Sequence, residues 1–75
     1  MLNKVIEFIR ERKGLNDIEI TGERQLVRDL GLSSFDLVTM ASWMEEEFGG
    51  IVSDETLFRC ITVNDVVRYL EQMQS

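Results

Sequence analysis

Two adjacent hydroxyls stand out in Asp29-Leu30-Gly31-Leu32-Ser33-Ser34-Phe35-Asp36-Leu37-Val38, where a glycine-containing turn delivers them to the start of an acidic helix. Free backbone N–H groups and the positive end of the helix dipole favour an attached phosphate at such a place. Ser34 is therefore well placed to carry a phosphodiester. It is not an activated nucleophile in its own right: no Lys lies near it, and the chain has no His at all. Asp36, two residues on, points to another side of the helix. Chemistry on Ser34 must come from another protein. The competing reading is that Ser33 and Ser34 only cap the helix. A hydrolase elbow is a weaker reading still, because Phe35 stands where G-x-S-x-G needs its second glycine, no strand is expected before the motif and no His exists to serve as base.

The absence of His also removes Ser-His-Asp and Cys-His catalysis within the chain and most zinc or non-haem iron sites. A self-sufficient enzyme is not expected, and no metal site. The single Cys60 can form no internal disulfide and reads as a small core hydrophobe.

The elements that must position Ser34 follow from periodicity. Seventy-five residues, 44% hydrophobic and 29% charged, fit one small globular domain spanning 1–75. Leu2, Val5, Ile6 and Ile9 mark an amphipathic first helix stopped by Gly14. From Leu15 to Ser33 the apolar residues Ile18, Ile20, Leu26, Leu30 and Leu32 keep no sustained period. We expect a long connection packed over the core, with one helical turn near Glu23 to Val27. Ser33 and Asp36 form an approximate capping box for a second helix running to about Phe48, with Leu37, Met40, Ala41, Met44 and Phe48 as its apolar stripe. Trp43 sits at the edge of that stripe, either half buried or free for a partner. Asp54 to Cys60 reads as a short helix capped by Ser53. Thr62 and Asp65 cap a last helix carrying Val63, Val66, Val67, Leu70 and Met73. The expected fold is all-α: a small antiparallel four-helix bundle, three main helices and one short one, with a long first loop.

The formal charge is −6, the wrong sign for nucleic acid. Seven acids and no Lys or Arg lie between Asp29 and Phe58. That concentration suggests docking to basic surfaces, against the blander reading of a solvated acidic face. No signal-like N-terminus and no membrane-length apolar run is present, so a cytoplasmic monomer is expected.

Asp29-Leu30-Gly31, Ser34, Asp36, Val38 and Glu45-Glu46-Glu47-Phe48 together resemble the acyl carrier protein family, whose pattern is D-L-G-x-D-S-[LF]-D, a helix, then E-E-E-F. The similarity extends through Ile20-Thr21 to Thr62-Val63 and Tyr69-Leu70. The resemblance implies that Ser34 receives 4′-phosphopantetheine from coenzyme A through a separate phosphopantetheinyl transferase. The arm's thiol then carries acyl groups as thioesters between enzymes of fatty-acid or related acyl synthesis. Aminoacyl, D-alanyl and polyketide-pathway carriers are alternatives, and an unmodified acidic interaction module is the alternative of another class. By the same resemblance, Asp36, Glu45 and Glu46 would meet basic residues of the transferase and of acyl-loading and acyl-processing enzymes, with Phe35 and Val38 as apolar contacts. Met40, Met44, Val52, Leu57 and Cys60 would line an acyl pocket, which Leu57 narrows; a short cargo, or one left outside, is expected. Two departures stand out. Most members place Asp where this chain has Ser33, which implies slower modification or a particular transferase. Val52-Ser53 replaces a common Ile-Pro, loosening the turn before the third helix.

Overall fold

A computed structural model describes residues 1–74. Among them are four helices: α1 Leu2–Lys13, α2 Ser34–Phe48, α3 Asp54–Arg59 and α4 Val63–Gln74. Their boundaries fall where local side-chain chemistry puts them. Gly14 takes the left-handed conformation (φ 65°, ψ 33°) and donates its N–H to Arg10 O, closing α1. Ser33 Oγ accepts from Asp36 N and Ser53 Oγ from Thr56 N at the starts of α2 and α3. At α4, Thr62 Oγ1 accepts from Asp65 N while Asp65 Oδ2 accepts from the Ile61 and Thr62 N–H groups. Those two backbone bonds, Thr62 first, hold the Asp65 carboxyl below its ordinary range.

α1 packs on α4 and α2 on α3, enclosing one core. Val5 and Ile9 enter it from α1, Met40 and Met44 from α2, Leu57 from α3, and Val63, Val66 and Leu70 from α4. The four-helix architecture agrees with the periodicity.

The long connection departs from expectation in two details. No helical turn forms at Glu23 to Val27. Instead Gln25 makes an antiparallel bridge to Thr62, flanked by bonds from Leu26 N to Ile61 O (2.8 Å) and from Val63 N to Arg24 O (3.1 Å). The chain turns just afterwards, with Asp29 N–H bonded to Gln25 O and the Asp29 carboxylate accepting from Gln25 N. Arg24 O and Leu26 N thus find partners across the domain, while the N–H and carbonyl of Gln25 are satisfied within the turn that follows. Gly22 makes the approach possible, because a Cβ there would run into the Asn64 side chain. The second detail is Ile18, which stays exposed, whereas Ile20, Leu26, Leu30 and Leu32 are buried as expected.

α1 and α2 are joined along an aromatic seam. Phe8 stacks on Trp43 with centroids 4.6 Å apart, and Phe48 meets Trp43 edge-on at 5.7 Å. Trp43 is half buried there. Lys4 Nζ donates to Glu47 Oε1 at 2.7 Å above the same cluster. Phe8→Leu should lower stability by about 1 kcal/mol by losing the stacked pair. Urea unfolding followed by emission of Trp43, the chain's one tryptophan, measures this; an unchanged midpoint would show that the stack contributes nothing.

Candidate functional site

The two serines divide their tasks. Ser33, in extended conformation (φ −95°, ψ 172°), is the helix cap. Its Oγ accepts from Asp36 N (3.2 Å) and donates to Asp36 Oδ2 (3.1 Å), and its N–H donates to the same carboxylate oxygen (2.9 Å). Ser34, the first residue of α2, is exposed, and its hydroxyl has no hydrogen-bond partner among the described residues. The N–H groups of Asp36 and Leu37 are taken by Ser33. Those of Ser34 and Phe35 remain at the positive end of the helix, open to an anion attached at Ser34. Upstream, Gly31 holds φ at 69°, a region that L side chains rarely enter, and so the turn can reach Ser33.

Asp36 occupies a place the sequence did not foretell. It is only 6% exposed, and α1 supplies its counter-charges. Arg12 Nε donates to Oδ1 at 2.7 Å and Lys13 Nζ to Oδ2 at 3.1 Å. The Ser33 N–H, then Arg12 and Lys13, hold the carboxyl well below the usual carboxylate range despite its burial. Arg12 also lies over the Phe35 ring, 5.5 Å from its centroid. Asp36, Trp43 and Glu47, spaced seven and four residues apart, all meet α1, and that face of α2 is turned inward.

The expected docking residues are therefore not brought together as one group. Phe35 (73% exposed), Val38 and Glu46 are open to solvent on α2. Asp36 differs from them: its carboxylate is buried and bonded to Arg12, Lys13 and Ser33. Glu45 is half buried, and its Oε2 accepts from Val52 N at 2.7 Å. It fastens the Gly49-Gly50 corner that Val52-Ser53 leaves without a proline. Ile51, 88% exposed, joins the apolar surface and had been overlooked. It follows two glycines with positive φ, a corner that could have suggested a protruding side chain.

Met40, Met44 and Leu57 are fully buried and Val52 nearly so, as core residues. Cys60 is half buried, and burial raises its thiol pKa. Cys60 borders an open cleft of about 260 Å³ with Gln25, Val27, Arg28, Phe58 and Ile61.

Among the described residues no cluster of three or more His, Cys, Asp or Glu could hold a metal ion. No described helix is long and apolar enough to cross a membrane. The site thus offers an exposed hydroxyl at a helix start.

A family model described as "Phosphopantetheine attachment site" matches residues 3–70. The chain is 39% identical over 72 residues to an acyl carrier protein of Thermotoga maritima, covering 96% of this chain and 89% of that one. It is 38% identical over 63 residues to an acyl carrier protein of Helicobacter pylori, covering 84% and 81%.

Proposed function

The chain belongs to the phosphopantetheine-attachment family of acyl carrier proteins, and we propose that Ser34 is the residue that bears its arm. As an acyl carrier it holds acyl groups as thioesters on a covalently attached 4′-phosphopantetheine and presents them to acyl-processing enzymes. The observation supporting Ser34 is the division between the serines: Ser33 is consumed by the cap, while the Ser34 hydroxyl is exposed and unbonded. The hydroxyl's proton must leave to a base on the transferase, since the chain has no His and the Asp36 carboxylate is held by Arg12, Lys13 and Ser33. Once the arm is attached, tethering replaces a bimolecular encounter of acyl group and enzyme by one at high effective concentration.

Residues 1–75 act in this reading as one carrier domain, a cytoplasmic monomer serving fatty-acid or related acyl synthesis. The transferase and the acyl-loading enzymes approach over Phe35 and Val38, with Glu46 offering charge to a basic surface. Weak, steered contacts of that kind suit a shuttle that must also leave.

Loading of the arm-bearing chain tests the pathway. Incubation with a fatty-acyl loading enzyme should add one acyl mass, released again by neutral hydroxylamine as a thioester is. Loading only by an amino-acid-activating enzyme would move the chain to the aminoacyl carriers. Because Met40, Met44 and Leu57 are closed into the core, a long saturated chain should leave their methyl NMR signals in place. Shifts in those signals would show that the cargo enters the bundle.

A further inference from the structure

Between Asp29 and Phe58 the sequence holds no cation, yet two cations stand at the start of α2 because the end of α1 is folded against it. Arg12 and Lys13 each take one oxygen of Asp36. Asp36 Oδ2 in turn binds both the N–H and the hydroxyl of Ser33, the residue just before Ser34. Arg12 also covers the ring of Phe35, the residue just after it. Arg12 thus reaches both neighbours of Ser34, Phe35 directly and Ser33 through the Asp36 carboxylate.

The geometry points to Arg12 and Lys13 as positioning residues for arm attachment: through Asp36 and Phe35 they fix the turn that presents the Ser34 hydroxyl, and they neutralise the carboxylate beside it. This inference rests on Ser34 being the attachment residue. Two physical effects combine. A nucleophile must be held in attacking geometry, and small misplacements are costly in rate. An uncompensated carboxylate two residues from the hydroxyl would also repel the incoming phosphate of coenzyme A, as it would the attached phosphodiester afterwards. In the overall transfer the Ser34 Oγ–P bond forms, and the bond from that phosphorus to the adenosine 3′,5′-bisphosphate leaving group breaks. The serine proton goes to the transferase's base. Arg12 and Lys13 take no part in this exchange of bonds; they hold the hydroxyl where it occurs.

Steady-state arm addition, followed by intact mass with coenzyme A, magnesium and a transferase, tests the inference. The variants are Arg12→Gln with Lys13→Gln, each single change, Arg12→Lys, and Lys4→Gln as a control. Lys4→Gln removes another α1–α2 ion pair, that with Glu47, without touching the Ser34 turn. The double variant should lose about tenfold in kcat, with the KM for the carrier changed less than about twofold, and Arg12→Lys should show a smaller loss than Arg12→Gln, because it keeps the charge beside Asp36 but not the guanidinium over Phe35. Lys4→Gln should keep the parental kcat. A merely structural latch would act differently, reducing the folded fraction and raising the apparent KM while leaving kcat at saturation unchanged. Parental kcat in the double variant overturns the inference, as does an equal loss in Lys4→Gln. Should the double variant fail to fold, Arg12→Gln and Lys13→Gln carry the same comparison. An arm found on the Ser34→Ala chain would instead overturn the assignment of Ser34, a separate result.

Discussion

Ser34→Ala should abolish arm addition completely, while Ser33→Ala should still accept one arm and lose about 1 kcal/mol of stability. The asymmetry follows from the hydrogen bonds: the Ser33 hydroxyl both accepts from Asp36 N and donates to Asp36 Oδ2, whereas the Ser34 hydroxyl is exposed and bound to nothing described. Truncating Ser33 leaves its own N–H bond to Asp36 intact, so the helix start frays without being lost. Intact mass and thermal unfolding on the two variants measure both halves. Arm addition that survives in Ser34→Ala and disappears in Ser33→Ala would reverse the assignment.

The second large effect lies at Asp36. Asp36→Ala should cost about 2–3 kcal/mol, from the lost capping box and the charge-assisted bonds to Arg12 and Lys13. For a domain of this size that is a fall in Tm of roughly 10–20 °C. The pH dependence has a definite sign. The Asp36 carboxyl is depressed in the folded chain, so its contribution is present in full above the unfolded carboxylate range near about pH 4 and is lost as pH falls through the folded value. Asp65 acts in the same direction. The urea midpoint of the parent should therefore drop on acidification below about pH 4, and that of Asp36→Asn should drop less, with the remaining slope due mainly to Asp65. Equal slopes in parent and variant would show that Asp36 is not tied up as described.

The helix starts were legible because each is spelled within four residues. Ser33 with Asp36 and Thr62 with Asp65 are reciprocal pairs whose partners are three positions apart, so the signal and the interaction share one window. Met40 and Met44 could be placed in the core from period alone. The bridge from Gln25 to Thr62 was not legible, because neither residue marks a strand and the pairing joins distant parts of the chain. That tertiary pairing displaced the local turn expected at Glu23 to Val27.

The candidate site divides along the same line. Ser34 stands exposed at the start of α2, where the sequence puts it, and the capping box of Ser33 and Asp36 was legible, but the ion pairs that α1 makes with Asp36 were not. Its partners lie 24 and 23 residues earlier, at the end of a different helix, and nothing at Arg12 or Lys13 in sequence names Asp36. The acidic half of the chain is thus less acidic beside Ser34 than a count of residues implies. Sequence locates charge along the chain, and only the fold decides which charges are already answered.

The most direct test of the account is to treat the unmutated chain with coenzyme A, magnesium and a broad-specificity phosphopantetheinyl transferase, and then to locate any added mass by peptide fragmentation. One phosphopantetheinyl group per chain, with the fragment series placing it on Ser34, is the result the account predicts. No addition with several transferases, or an arm on Ser33, would contradict it.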